Sequence, residues 1–185
     1  FFRKAQNRQK GANEFHGIGG PLSVSPPRSP NPLNDTFIQA GVECQIPRND
    51  DFNGATQEGI GFYELTQDNG RRCSTAHAYL TPAKNRENLT IFKRSIAEKV
   101  MIENGRAIAV RAKIDGRAQI IRANKEVILS CGAFQSPQLL LLSGIGPKSK
   151  LEEHKIDQVL ELPGVGENLT DHLDYSLIYE SDSEY

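Results

Sequence analysis

The chain has 185 residues, 37 % hydrophobic and 24 % charged, with 22 Lys plus Arg against 23 Asp plus Glu and a net charge of −1. That length allows one ordinary domain or two small ones. The near-neutral balance gives no global field favouring nucleic acid or an anionic membrane, and no apolar run reaches the ~18 residues of a membrane helix.

The first residues, "FFRKAQNRQK", lack the apolar core and small-residue cleavage site of a signal peptide and read as the tail of a helix. Residues 11–36 form a Gly/Pro-rich loop region in which "GPLSVS" suits a short strand. In "SPNPLNDTFIQAGVEC", Asn31 is a suitable N-cap and Pro32 a suitable first helical residue. Leu33, Phe37 and Ala40 recur at helical spacing and are expected to form its buried face. "GFYELTQ" reads as a strand, and Asp68-Asn69-Gly70 as a turn whose residues tolerate positive φ. Ser74 is placed to cap a short helix carrying Ala76, Ala78 and Tyr79, with Pro82 ending it.

From Leu89 the texture changes. "LTIFKRS", "AEKVMIE", "RAIAVRAKI" and "AQIIRANKEVILSC" are strand-like, and Asn104-Gly105 and Asp115-Gly116 are two-residue turns. This reads as a β-meander feeding a last, more apolar strand at 127–130, of the kind covered on both faces in α/β sheets. "GAFQSPQLLLLSGIGP" follows. Ser136 and Pro137 predict the helix start, the leucines its body and Gly144 its stop. "KSKLEEHK" predicts a helix, "QVLEL" a strand, "PGVGENLTDHL" a glycine loop, and "LDYSLIYESDSEY" a closing strand.

A strand–glycine–helix junction can turn a corner in a core, or it can let a nucleotide approach the backbone and the open amides of a helix start. The fingerprint G-x-G-x-x-G is absent: Gly164-Val165-Gly166 lacks its third glycine, and Gly144-Ile145-Gly146 is followed by Pro147. Both meanings of the junction stay open on local chemistry. His16, His77, His154 and His172 show no partner at reactive spacing, although Asp171 precedes His172. No H-E-x-x-H or carboxylate–histidine ligand pattern points to a metal, and no G-x-S-x-G to a hydrolase. Cys44, Cys73 and Cys131 are widely spaced, which suits a reducing compartment. Cys131 reads as a small buried hydrophobe. Asn34, Asn88 and Asn168 begin N-x-Thr triplets that carry no assignment alone.

"GAFQSPQLLLLSGIG", with "EFHGIGGPLSVS", "DFNGATQEGIGFYELTQDNGRRCSTAHAYL" and "LPGVGENLTDHL" in this order, resembles the glucose–methanol–choline oxidoreductase family of flavoproteins, and within it the choline dehydrogenase-like alcohol dehydrogenases. The resemblance runs along essentially the whole chain. It implies an α/β (α+β mix) fold: part of a Rossmann-like FAD-binding domain with a β-meander, plus part of a substrate-side domain. Residues 1–88 would be the substrate-side portion and cover loops, 89–146 the FAD-binding portion, and 147–185 a return toward the substrate domain.

It also implies FAD as cofactor and a small-molecule alcohol, choline-like or another primary alcohol, oxidised to an aldehyde by hydride transfer to flavin. Ala97 stands where the family has a small aliphatic residue whose backbone meets the adenine. Cys131, Gly132 and Ala133 stand at the strand end that passes the adenosine half of FAD. Arg72 and Ser74 match a substrate-side boundary motif. The family's pyrophosphate-binding G-x-G-x-x-G and its active-site histidine match nothing here. The chain is therefore expected to be an internal fragment that is inactive and binds FAD weakly by itself, with no catalytic residue, no metal site, and the rest of the full-length chain as its partner. Without that rest, the strand at 127–130 is expected to lack a neighbour and Leu139 to Leu142 part of their cover. An inactive remnant serving as an interaction module is the alternative. Cytoplasmic and membrane-associated locations both stay open.

Overall fold

The structure, a computed structural model, describes residues 1–178 and residue 180. It divides into two compact units, Phe1–Thr90 and Ile91–Tyr185. Both mix helices and strands, as the α/β expectation requires.

In the first unit a single helical turn, α1 (Phe2–Ala5), runs straight into β1 (Gln6–Arg8), which pairs in parallel with β2 (Leu22–Val24). The intervening loop doubles back against α1 and β1. A Cβ built on Gly17 would fall on the carbonyl of Arg3, and one on Gly20 on the backbone of Ala5. Only glycine permits that approach. Helix α2 (Pro32–Glu43) starts as its sequence dictates: the Asn31 side chain accepts the Leu33 amide at 2.9 Å and Pro32 follows. Its buried residue is Ile38, whereas Leu33, Phe37 and Ala40 are exposed. The spacing was right for a helix, but the buried stripe is one position displaced from Phe37.

The expected strand "GFYELTQ" is reduced to a single bridge between Leu65 and Ser25 and to β3 (Gln67–Asp68), which turns through Asn69 and Gly70 into β4 (Arg71–Arg72). Asn69 and Gly70 take φ of 49° and 74°, as the turn signal predicted. Ser74 Oγ accepts the His77 amide at 3.2 Å at the head of a π-helical turn, Ala76–Leu80. Pro82 does not end it. It lies in the next turn, α3 (Thr81–Ala83), which continues directly from the π-helical one and stops one residue after the proline. Val24, Ile38, Cys73 and Ala78 are the buried apolar residues of this unit.

The second unit is built on an antiparallel meander, β5 (Ser95–Glu103), β6 (Arg106–Ile114) and β7 (Arg117–Arg122). Asn104-Gly105 and Asp115-Gly116 make its turns, all four residues at positive φ. Residues 89–93 add no strand. A bulge in β5 sets Ala97 opposite Ala112 and Lys99 opposite Arg111, which leaves Glu98 as the extra residue. Val100, Ala112 and Ile114 are buried on one face of the sheet, and Ala109 is buried on the other.

The segment 127–130 is not a strand among the described residues; it pairs with none, and Ile128 is 76 % exposed. Val127 and Leu129 are partly covered, and Ile128 and Ser130 are exposed. Helix α4 (Gly132–Leu142) packs on β5 and starts earlier than predicted, so Pro137 lies inside it. Ser136 does act as a cap, but from within: its Oγ accepts the Cys131 amide at 3.0 Å. Cys131 is exposed rather than buried: it sits at the head of α4, beyond the reach of the β5–β7 sheet's buried side chains. Gly144, at φ 84°, stops the helix as expected. Then come β8 (Ile145–Gly146), α5 (Lys148–Glu153) and β9 (Leu160–Glu161), with β8 and β9 parallel. The glycine loop after β9 is irregular, as read from the sequence. No strand forms in "LDYSLI", and the rest of that predicted strand lies largely outside the described residues.

Candidate cofactor site

The start of α4 lies over the bulged end of β5. Between them is a hollow of about 350 Å³ whose walls include Ser95, Ala97, Cys131, Gln135 and Gln138. Two residues far apart in sequence, Ala97 and Cys131, thus share one wall. Ala133 faces a second hollow of about 480 Å³ with Phe134, Pro137, Gly166 and Asn168, and Gln138 borders both. Gly132 links the two at φ 87°, with nothing within 4 Å of the place a Cβ would take.

The local chemistry of this corner follows from its residues. The first-turn amides of a helix have no intrahelical acceptor. Ser136 satisfies one nearby amide, that of Cys131, and leaves those of the first turn open to a ligand. The bulge takes Glu98 out of the β5–β6 ladder, so backbone polar groups beside Ala97 are free for an outside partner. Small side chains at Ala97 and Cys131 keep the hollow open. The arrangement suits a planar, polar-edged group that reads backbone more than side chains. Gln135, Gln138 and Ser95 were missed from the sequence. The helical spacing of the two glutamines signals a shared face, but not that it looks onto β5.

Other expected residues are not gathered into a site. Asp171 accepts the amide of His172 at 2.8 Å rather than its ring, so the neighbour pair does not orient an imidazole. Arg72 is exposed on β4, and His154 follows α5.

The first unit does contain a charged cluster that the sequence did not announce. His16, Asp51 and Glu64 bring ligand atoms within 4.8 Å of one another. Arg8 donates through Nε to Glu64 at 2.7 Å and through Nη2 to Asp51 at 3.3 Å, and Lys10 lies 3.4 Å from Glu64. The carboxylates are thereby matched by side-chain cations, and a guanidinium bridges the pair a metal ion would have to share. Asn49 shapes the loop holding Asp51: its Nδ2 donates to the carbonyls of Thr56 and Glu58, and its Oδ1 accepts the Asp51 amide at 2.8 Å. Burial pushes the Asp51 carboxyl up. The hydrogen bond from His16, the Asn53 amide and the charges of His16 and Arg8 outweigh that and hold it below its ordinary 3.8.

The bulged meander with a glycine-started helix on its edge strand gives the second unit a mixed α/β architecture, and comparison with known proteins shows the family. The GMC oxidoreductase family pattern matches residues 3–174. The chain belongs to the GMC oxidoreductase family. It is 48 % identical over 183 residues to an oxygen-dependent choline dehydrogenase of Pseudomonas fluorescens (strain SBW25), and 45 % over 181 residues to one of Pectobacterium atrosepticum. Each alignment covers 97 % of this chain, which spans about a third (32 %) of the length of these curated relatives. Among solved structures, pyridoxine 4-oxidase from Mesorbium loti superposes with a TM-score of 0.80 at 31 % identity, over 88 % of this chain and 32 % of the other. A formate oxidase variant from Aspergillus oryzae RIB40, studied for FAD modification, gives 0.81 at 27 % identity, over 92 % and 31 %.

Proposed function

We propose that this chain supplies the adenosine side of an FAD site in a longer protein that oxidises an alcohol, choline-like or another primary alcohol, to an aldehyde. The observation that carries the proposal is that Ala97 and Cys131 line one hollow between β5 and α4. Its size, its small side chains and its free backbone groups fit an adenosine. Ala97 and the adjoining bulge would meet the base through backbone. Cys131, Gly132 and Ala133 would let the cofactor pass close to the start of α4, whose open amides favour negative charge. A bound FAD would supply the hydride acceptor for the alcohol carbon. The part of this chain would be to hold and orient the cofactor's remote end. No residue of the chain is assigned to proton transfer.

Residues 89–146 would accordingly be cofactor-side and residues 1–88 substrate-side. The choline dehydrogenases support the alcohol class, and the formate oxidase and its FAD support the cofactor.

The test is flavin binding by the longer protein carrying Ala97→Phe or Cys131→Phe. Both positions are exposed in this unit, so folding is expected to survive. FAD affinity should fall at least tenfold, about 1.4 kcal/mol, with unchanged unfolding temperature of the flavin-free protein. Unchanged flavin affinity in both variants would refute the assignment.

A further inference from the structure

We infer that Asn104, in the turn between β5 and β6, is a site of spontaneous covalent modification: its side-chain amide is lost through a cyclic imide, leaving an aspartyl or isoaspartyl residue. Asparagine is chemically labile. It is most so before glycine, which has no side chain to shield its backbone nitrogen. The chain has three such pairs, Asn53-Gly54, Asn69-Gly70 and Asn104-Gly105. At the third, the Gly105 nitrogen gives up its hydrogen and bonds to the side-chain carbonyl carbon of Asn104, and ammonia leaves. Water then opens the imide. Opening at the side-chain carbonyl restores the peptide and leaves aspartate. Opening at the backbone carbonyl leaves isoaspartate, whose main chain runs through the former side chain. Nothing is oxidised or reduced, and water is the only co-reactant.

The surroundings separate the three pairs. The Gly54 amide donates to the Asp51 carbonyl at 3.1 Å and the Asn53 amide to Asp51 Oδ1 at 3.2 Å, so the reacting nitrogen there is already engaged. Asn69-Gly70 and Asn104-Gly105 share one backbone shape, with φ of 49° and 74° in the first and 50° and 77° in the second. The turn at Asn69 is held all the same. Asn69 Nδ2 donates to Asp68 Oδ1 at 3.1 Å, the Asn69 carbonyl accepts from Arg28 Nη1 at 3.0 Å, and a Cβ on Gly70 would run into that guanidinium. Asn104 is exposed, and its side chain meets no hydrogen-bonding partner among the described residues. The ladder closes at Glu103 and Arg106, so the Gly105 nitrogen lies outside it. A Cβ on Gly105 would meet nothing within 4 Å. The Asn104 side chain is therefore free to swing onto that nitrogen, and the turn is free to bend with it.

The same sheet shows which product it tolerates. Its other turn, Asp115-Gly116, takes φ of 46° and 80°, so an aspartate before glycine already closes a hairpin of this shape. The aspartyl product would keep the turn and add a negative charge to its tip. The isoaspartyl product lengthens the main chain by a CH2 between two strands that pair residue for residue at Glu103 and Arg106. That closing pair would be the first to open. The turn thus converts the age of the molecule into a new charge in one product and a loosened hairpin end in the other.

Peptide mapping by mass spectrometry, on the full chain held for days in warm, mildly alkaline buffer, tests this. The peptide carrying Asn104 should acquire the mass of an NH2-to-OH exchange about tenfold faster than those carrying Asn69 and Asn53, the factor by which one hydrogen bond that must first break slows a step. In urea, with the ties of Asp51, Asp68 and Arg28 gone, the three rates should converge. Asn104→Asp should unfold at the temperature of the unmodified chain, and the isoaspartyl form, separated by chromatography, at a lower one. Equal rates at the three pairs in buffer without urea, or a faster exchange at Asn69 or Asn53, would overturn the assignment. An Asn104→Asp chain that unfolds as early as the isoaspartyl form would overturn the reading of the products.

Discussion

Ser143 Oγ accepts the amide of Val100 at 2.8 Å and donates to the carbonyl of Leu139 at 2.6 Å, entirely shielded from solvent. One hydroxyl thus joins the end of α4 to the middle of β5. It fixes the distance between the two elements that form the candidate cofactor hollow. Ser143→Ala leaves the Val100 N–H buried without a partner. The expected loss is about 1–3 kcal/mol of unfolding free energy, read from urea denaturation, and the hollow should widen. A change below about 0.5 kcal/mol would mean that another group takes over the Val100 amide.

Two glycines separate backbone strain from crowding. Gly105 and Gly144 both take positive φ, 77° and 84°. A Cβ on Gly105 meets open space, whereas one on Gly144 meets the Asp157 carbonyl and the Val159 side chain. Gly105→Ala should cost about 1 kcal/mol, and Gly144→Ala at least 1 kcal/mol more. Equal losses in thermal unfolding would show that the β8–β9 corner yields freely.

Gly17→Ala tests the close approach of the loop to α1. Its Cβ would land on backbone, not on a flexible side chain. The expected result is local: faster amide exchange at Arg8 and Gly20, with exchange of the meander amides unchanged.

Asp51 sets an acid limit on the same region. Its carboxyl is held below the ordinary value, so its ionised form favours the folded state. That contribution is complete above the unfolded value of about 3.9 and is lost as pH falls through the lower folded value. Asp51→Asn should flatten the acid limb of a stability–pH profile. An unaltered acid limb would exclude Asp51 as its source.

What was legible in the sequence was what local chemistry decides. Asn31-Pro32 starts α2, Asn69-Gly70 turns β3 into β4, and Gly144 stops α4. Each follows from one residue's own φ preference or hydrogen-bonding reach. The misses come from partners. Val127 to Ser130 has the composition of a buried strand, but a strand needs a neighbour, and composition cannot name one. Pro137 was read as a helix start because proline is harmless in a first turn. The chain instead enters the helix at Gly132, and Ser136 caps backwards to Cys131. The family resemblance puts Ala97 and Cys131 forward as cofactor residues, and only the packing of α4 on β5 shows that they share a wall. The Arg8–His16–Asp51–Glu64 cluster left no sequence signal, because its members come from three loops and a strand at irregular separations.

The meander has a consequence for how the chain acquires its structure. Its two tight turns bring β5, β6 and β7 together over short stretches of chain, so little loop entropy opposes their pairing. Hairpins of this kind close in about 1–10 μs. α4, β8 and β9 join through longer separations. Pulse-labelled exchange during refolding should therefore protect Val110 and Ala112 before Leu160, and the platform that later receives α4 should exist before the helix docks.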